Sequence, residues 1–162
     1  MSVPPEPARV EIRTAMDGDA PGILACLAAA FDPYRQQYSP EAYADTTLTP
    51  QTIRARLTAM TVLVAVVADE VVGTIACNVA APAEGHLRGM AVLRSWQGHG
   101  LAERLLEAAE DDLRARGCTR VTLDTTAPLQ RAIRFYTRLG YQPSGTVGNF
   151  FGMPLFEYEK KL

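Results

Sequence analysis

Histidine and cysteine are scarce in this chain of 162 residues, which contains two histidines and three cysteines. The cysteines (Cys26, Cys77 and Cys118) are widely spaced and odd in number, which is typical of reduced, buried thiols and not of a disulfide framework. Two histidines and no closely spaced cysteine pair also give no basis for a structural zinc site. We therefore expect a cytoplasmic protein that holds no metal ion.

Long apolar runs and an excess of positive charge are missing as well. No stretch approaches the roughly 20 apolar residues that a membrane-spanning helix needs. The amino terminus also lacks the basic start and apolar run of a secretory signal. The net charge is −2, which gives no electrostatic basis for binding nucleic acid. We expect neither a membrane nor a nucleic acid as a partner.

The length and composition are those of one globular domain. A chain of 162 residues can bury a sizeable core, and 48% of its residues are hydrophobic. We find no internal repeat and no linker. We expect residues 1–8, MSVPPEPA, to form a flexible tail and residues 9–162 to form a single domain.

Apolar periodicity predicts strands and helices that alternate along the chain. The predicted strands cover residues 9–13, 61–67, 71–79, 86–92, 119–125, 141–147 and 153–160. The predicted helices begin at about residues 17, 49, 101 and 128. Gly117 ends the third helix as a left-handed cap, and Gly140 stops the fourth. Gly73 lies inside a strand, which indicates a bulge or a close approach of the backbone to another group.

The helix that begins at residue 101 is long and amphipathic. Its apolar stripe consists of Leu101, Ala102, Leu105, Leu106, Ala109 and Leu113. On the other face, Glu110 precedes Arg114 and Asp112 precedes Arg116 at the spacing of one helical turn. This spacing predicts two exposed ion pairs.

A glycine-containing loop, Gln97-Gly98-His99-Gly100-Leu101-Ala102, leads directly into this helix. Its small residues let the backbone curl and expose N–H groups beside the positive end of the helix dipole, which predicts a phosphate or pyrophosphate site. A nucleotide-triphosphate loop would need Gly-Lys-Ser/Thr, which does not follow here. A dinucleotide fingerprint would need Gly or Ala where Glu103 stands. The pattern Gln/Arg-x-x-Gly-x-Gly/Ala remains, met by Gln97, Gly100 and Ala102.

Together with the preceding strand Leu-Arg-Gly-Met-Ala-Val, this loop resembles the acyl-CoA loop of the GNAT superfamily of N-acyltransferases. A second segment, residues 132–141 (AIRFYTRLGY), is similar to the family pattern A-x-x-(F/L)-Y-x-x-x-G-(F/Y). The resemblance covers nearly the whole chain after residue 8. It implies an α/β (α+β) fold of the GNAT type, with a mixed central sheet of about seven strands and about four flanking helices. Strands 86–92 and 119–125 would run parallel and splay apart in a V.

The resemblance implies an N-acetyltransferase that moves an acetyl group from its co-substrate acetyl-CoA to a primary amine by direct attack in a ternary complex. We expect a small-molecule acceptor more than a protein, and we also consider a homodimer. A non-catalytic acyl-CoA-binding sensor or regulatory module is the alternative. The residues that the resemblance assigns to the cofactor are Met90, Ala91, Val92, Gln97, Gly98, His99, Gly100, Leu101, Ala102 and Tyr136.

The resemblance also implies roles for three side chains. Tyr136 is the expected general acid for the departing thiolate, with a core tyrosine as the alternative. His86 stands where many relatives have Glu, and histidine is competent to accept the amine's proton near neutral pH. Glu84 lies just upstream and is the second candidate base. The remaining alternative is that ordered waters deprotonate the amine.

One position departs from the family pattern. Many relatives have Asn where this chain has Leu129, so one expected cofactor contact is missing. Arg134 is a candidate to compensate by facing the phosphates, although a solvated helix face is the simpler account. We expect acceptor specificity to come from segment 32–50, interrupted by three prolines, and from the loop 145–154. Both segments carry aromatic side chains: Tyr34, Tyr38, Tyr43, Phe150 and Phe151.

Overall fold

Seven strands form one mixed sheet in the computed structural model, which describes residues 9–162. The predicted tail, residues 1–8, lies outside the described residues. The strands are β1 (Glu11–Thr14), β2 (Thr61–Val67), β3 (Glu70–Ala81), β4 (Glu84–Val92), β5 (Arg120–Thr125), β6 (Gln142–Phe150) and β7 (Met153–Lys161). Their order across the sheet is β1-β2-β3-β4-β5-β7-β6. Only β4 and β5 pair in parallel.

The helices are α1 (Ala20–Phe31), α2 (Pro40–Thr47), α3 (Pro50–Ala59), α4 (Leu101–Ala115) and α5 (Gln130–Arg138). Helix α2 was not predicted, because its proline had been interpreted as an interruption. Pro40 instead occupies the first turn, where a missing N–H costs nothing. The Ser39 side chain accepts the N–H of Ala42 as an N-cap. The fold therefore has five helices where about four were expected.

The sheet separates two apolar cores because successive side chains of a strand point to opposite faces. On one face, α1 and α3 cover a cluster that includes Val62, Val64 and Ala91. On the other face, α4 and α5 cover a larger cluster that includes Leu63, Leu105 and Tyr136. We call these the α1/α3 face and the α4/α5 face. The predicted stripe of α4 is confirmed, with Ala102 only partly buried.

Strands β4 and β5 separate after four residue pairs, which run from Glu84–Arg120 to Leu87–Leu123. A bulge in β4 accompanies the separation, because Ala91 pairs with Thr74 while Arg88 pairs with Ala76. Gly89 lies in this bulge with a positive φ of 62°. The predicted V-shaped splay is confirmed. The predicted irregularity at Gly73 is confirmed too, since the β2–β3 register shifts there.

One predicted ion pair of α4 is wrong. Glu110 is only 5% exposed and does not pair with Arg114. Instead it accepts hydrogen bonds from the Tyr141 hydroxyl (2.8 Å) and the Lys160 ammonium (2.9 Å). The spacing of one helical turn shows that two side chains share a face of the helix, but it does not show whether that face is exposed. Here β7 covers the face that carries Glu110. The second pair, Asp112–Arg116, is present at 3.1 Å.

All three cysteines are free and buried, as expected. Within residues 9–162, no helix is long and apolar enough to cross a membrane. The same residues contain no group of three or more His, Cys, Asp or Glu side chains placed to hold a metal ion.

Candidate active site

A cavity of about 1290 Å³ occupies the opening between β4 and β5. Residues of α1, α2 and α3 line one part of it, and residues of α4 and α5 line another. Because these helices cover opposite faces of the sheet, the cavity is a slot that runs through the sheet. Its α4/α5 end contains the predicted cofactor loop, and its α1/α3 end contains the aromatic segment expected to contact the acceptor.

The loop before α4 presents a row of unpaired backbone donors at one end of the slot. Gly98 and Gly100 have positive φ of 81° and 74°, and a Cβ atom added to either would meet nothing within 4 Å. The N–H of Arg104 donates to the Gly100 carbonyl at 3.2 Å. None of the N–H groups of residues 98–103 donates to another group of the described chain. Such a cradle at a helix N-terminus fits a pyrophosphate.

Gln97 joins the loop to its neighbours. Its side-chain amide donates to the Val92 carbonyl at 3.1 Å and accepts from the Arg131 guanidinium at 2.7 Å. The exposed side chain of His99 lies 5.8 Å from the Trp96 ring, between ring centroids, and does not line the slot. The loop therefore offers the backbone of His99, and the side chain of Gln97 holds the loop against β4 and α5.

Three arginines of α5 also line this end of the slot. Arg131 is held by Gln97, and Arg138 pairs with Glu103 at 2.8 Å. Arg134 is exposed between them and makes no ion pair with the described residues. Leu129, at the position where relatives have Asn, lines the slot as well. The positive charge of α5 therefore faces the region where phosphates are expected.

Where β4 has separated from β5, its open edge carries backbone groups that have no strand partner on that side. The N–H of Leu93 donates to the Val72 carbonyl on β3 at 2.9 Å. Because alternate residues of a strand bond to opposite sides, the N–H of Val92 points toward β5 and the slot. Met90, Ala91 and Val92 all line the slot. This edge can pair with an extended arm of a ligand as an added strand would.

Tyr136 lies on α5 and lines the slot, although its side chain is only 8% exposed. Its ring packs edge-on against Phe135 and Tyr141, with centroids 5.2 and 5.5 Å apart. Its hydroxyl has no hydrogen-bond partner among the described residues. Burial raises the pKa of Tyr136 above the ordinary value for tyrosine. The side chain therefore keeps its proton at neutral pH.

His86 lines the slot on the α1/α3 face. Its Nδ1 shares a hydrogen bond of 2.7 Å with the Thr122 hydroxyl, and its Nε2 lies 3.4 Å from Asp124 Oδ2. A protonated ring can donate to the Thr122 hydroxyl and form an ion pair with Asp124. Asp124 was not identified from the sequence. The alternation of β5 places Asp124 on the same face as Thr122, but only the β4–β5 register, which the sequence does not give, brings that face next to His86.

The structure does not bring Glu84 to the slot. Its carboxylate lies 2.7 Å from the Arg120 guanidinium, at the closed end of the β4–β5 pair. Glu84 shares the face of His86 but lies one alternation farther from the opening. Of the two predicted bases, only His86 therefore reaches the slot.

The expected acceptor segments do line the α1/α3 end, but only in part. Tyr34, Tyr38 and Phe150 face the slot. Tyr43 and Phe151 do not, and Phe151 is 53% exposed. Charged residues that the sequence did not single out, Asp45, Arg56 and Arg88, complete this end.

Comparison with known proteins identifies the fold and the family. The model of the acetyltransferase (GNAT) family matches residues 24–141. N-alpha-acetyltransferase 30 of Schizosaccharomyces pombe is 30% identical over 77 residues, which are 45% of this chain and 51% of that protein. The chain thus spans about half the length of that relative.

Two solved structures share the architecture over almost their full length. The PaiA N-acetyltransferase of Thermoplasma acidophilum, in complex with coenzyme A, has a TM-score of 0.79 at 18% identity, covering 95% of this chain and 99% of its own. The ribosomal-protein-S18-alanine N-acetyltransferase of Escherichia coli has a TM-score of 0.75 at 18% identity, covering 94% of each chain.

Proposed function

Because the chain belongs to the GNAT family of acetyltransferases, we propose that it transfers the acetyl group of acetyl-CoA to the primary amine of a small molecule by direct attack in a ternary complex. One observation carries this proposal: a single slot joins a phosphate cradle on one face of the sheet to a histidine–carboxylate pair on the other. Acetyl-CoA bound at one end of the slot and an amine bound at the other can react where the two ends join.

The residues at the α4/α5 end fit acetyl-CoA. The free N–H groups of residues 98–103 and the α5 arginines suit its phosphates, and the open edge of β4 suits its pantetheine arm. When bound, acetyl-CoA supplies an acyl group activated as a thioester. The N–H of Val92 faces the slot and can donate a hydrogen bond to an oxygen on which negative charge develops.

Two side chains are assigned to proton transfer. His86 accepts a proton from the ammonium form of the acceptor, the Thr122 hydroxyl accepts the Nδ1–H of the ring, and the Asp124 carboxylate, 3.4 Å from Nε2, stabilises the imidazolium by its charge. Tyr136 donates its proton to the departing sulfur, since its buried hydroxyl is protonated and has no competing partner.

A small acceptor is supported by the walls of the α1/α3 end. The hydroxyls of Tyr38 and Thr126 share a buried hydrogen bond of 2.6 Å. The Ser39 hydroxyl donates to the Phe151 carbonyl at 2.9 Å. These bonds tie segment 32–47 to the end of β5 and to the β6–β7 turn. A wall closed in this way suits a small amine better than the surface of a folded protein.

Cofactor binding is tested with a matched pair of variants. Gly100→Asn and Gly100→Asp have nearly the same shape, and both residues tolerate positive φ, so they differ mainly in charge. We expect calorimetry to show micromolar acetyl-CoA binding by the wild type, weaker binding by the Asn variant and none by the Asp variant. NAD and ATP serve as ligand controls. Equal binding by both variants would place the cofactor elsewhere.

Catalysis is tested by release of coenzyme A with a panel of primary amines. Tyr136→Phe should lower kcat by about 10²- to 10⁴-fold while acetyl-CoA still binds. His86→Gln should lower kcat/KM. Tight binding of acetyl-CoA without turnover by the wild type would instead support the sensor or regulatory module.

A further inference from the structure

The guanidinium of Arg56 is a half-buried cation without a partner. Arg56 lies in the last turns of α3 and lines the α1/α3 end of the slot. No carboxylate of the described residues pairs with it, and none of its five N–H donors makes a hydrogen bond to them. A methyl group built onto Gly89 would lie 2.5 Å from its Nη1, so the guanidinium rests against the β4 bulge.

The charges around Arg56 do not balance. Arg88 also lines the slot and pairs with Asp45 through an Nη2–Oδ2 distance of 3.2 Å. Asp45 is the carboxylate near both guanidinium groups, and it pairs with Arg88, so the charge of Arg56 has no partner. The other carboxylate at this end, Asp124, lies beside His86. Burial, followed by repulsion from Arg88, lowers the pKa of Arg56 to about 10. Arg56 is therefore still charged at neutral pH, and the opposite charge of an anion in the slot would offset both effects.

We propose that Arg56, with Arg88 beside it, binds a carboxylate of the acceptor, so that the substrates are amines that also carry a carboxylate group. This inference rests on the proposed function, because it assigns a substrate class to the same slot. A carboxylate brings the single negative charge that the cluster lacks, and its two oxygens match the guanidinium fork. A polyamine would bring further positive charge to the same place and would be repelled.

The slot also gives the separation between the two ends of such a substrate. His86 and Arg88 project from the same face of β4, and the bulge that holds the Arg56 guanidinium follows directly. Residues 86 and 89 are about 10 Å apart along a strand. A chain that places its carboxylate at Arg56 therefore extends its amine along β4 toward His86.

The test uses ω-amino acids from glycine to 6-aminohexanoic acid, each beside its primary amide. Linear diamines serve as cationic probes. Each pair has the same amine and nearly the same shape, so the ratio of kcat/KM for acid and amide isolates the carboxylate. We expect the wild type to favour the best acid over its amide by about 10- to 100-fold, mainly through KM. The diamines should be poorer than the acids.

Variants of Arg56 link this preference to one residue. Arg56→Gln should bring the acid-to-amide ratio close to one, and Arg56→Lys should restore part of it. Arg54→Gln is the matched control, since Arg54 is an exposed arginine on the same helix that does not line the slot. It should keep the wild-type ratio. A wild-type ratio near one, or a ratio that survives in Arg56→Gln, would overturn the inference.

Binding measurements separate this inference from the proposed function. The same acids and amides are titrated calorimetrically into protein saturated with coenzyme A, a measurement that needs no turnover. Acids that bind more tightly than amides, and lose that advantage in Arg56→Gln, support the anion site even when no amine is acetylated. In that case the proposed function falls and the anion site stands. Acetylation of neutral amines without any acid preference would refute the anion site and leave the proposed function standing.

Discussion

Tyr136 shows how burial and chemistry act on a single side chain. Its ring is part of an aromatic cluster with Phe135 and Tyr141, which would alone account for a tyrosine on this helix face. What the packing does not explain is the hydroxyl, which reaches the slot without a hydrogen-bond partner in the described chain. Tyr141 provides the contrast, because its hydroxyl donates to Glu110. The two tyrosines share a cluster, and only Tyr136 retains an unused proton.

The raised pKa of Tyr136 predicts alkaline destabilisation. Because burial raises this pKa in the folded chain, the stabilisation is complete below the unfolded value of about 10 and is lost as pH rises toward the folded value. Above pH ~10, Tyr136 should contribute a loss of up to about 1.4 kcal/mol per pH unit. Urea denaturation from pH 9 to 11.5 should show a shallower decline for Tyr136→Phe. Parallel declines would contradict the assignment.

Residues of the site differ in how far the sequence could predict them. Gly98, Gly100 and Tyr136 belong to short motifs whose spacing is local, so they were found in advance. Asp124 and Arg56 reach the slot through the register of β5 and the packing of α3, which depend on contacts between distant segments. Glu84 was a candidate by proximity in sequence, but its position at the closed end of the β4–β5 pair leaves it with Arg120.

At the scale of elements, the bulge in β4 shapes both ends of the slot. It frees the end of β4 from β5, and Gly89 leaves room for the Arg56 guanidinium. Helix α2 shows why such features resist prediction. Its proline can interrupt or begin a helix, and the N-cap of Ser39 decides which. The bounds of the strands were predicted within a few residues, because the pattern of apolar residues along a strand depends mainly on which side chains are buried.

Gly89→Ala should destabilise the protein more than Gly145→Ala. Both glycines have positive φ, 62° and 93°, so both substitutions strain the backbone by about 1 kcal/mol. Only at Gly89 would the new methyl group also meet Arg56, since nothing lies within 4 Å of a Cβ at Gly145. Because the atom that the methyl group meets is the far end of a flexible side chain, we expect only about 0.5 kcal/mol of additional loss for Gly89→Ala in urea denaturation. Equal losses would show that Arg56 moves aside freely.

Glu110 connects α4 to the carboxyl-terminal part of the sheet. Glu110→Ala leaves the Lys160 ammonium and the Tyr141 hydroxyl without their shared acceptor. Because one partner of a buried pair is removed, we expect a loss of about 3 kcal/mol in the free energy of unfolding. Glu107→Ala on the exposed side of the same helix should change it by at most about 0.5 kcal/mol. Similar changes in both variants would show that the buried contacts of Glu110 do not contribute to stability.

At the scale of the whole molecule, the two ends of the slot and the positions of the cysteines favour direct transfer in a ternary complex over an acetylated enzyme. In the proposed mechanism, cofactor and acceptor enter from opposite faces of the sheet, and no cysteine of the described chain lines the slot. No thiol is therefore placed to hold the acetyl group between two half-reactions. Initial rates at several fixed acetyl-CoA concentrations should give intersecting double-reciprocal lines. Parallel lines would indicate an acetylated enzyme and contradict the ternary complex.

The homodimer that we considered from the sequence is a separate matter, and it stays a prediction.

The fold as a whole was more predictable than its cavity. Two motifs that resemble those of the GNAT family were enough to predict the sheet and its splay, because the resemblance implies that arrangement of strands. The contents of the α1/α3 end depend on where segment 32–59 packs, and its helices are short and weakly patterned.

The four pairs that join β4 to β5 have a mechanical consequence. Among residues 9–162, they are the only ladder between the β1–β4 half of the sheet and the β5–β7 half. Such a short junction can act as a hinge. A ligand bound in the slot between β4 and β5 would then set the angle between the two halves of the sheet. We expect the width of the gap between β4 and β5 to affect ligand binding on both faces of the sheet. A molecule on one face would thereby influence the fit of a molecule on the other without any relay of side chains.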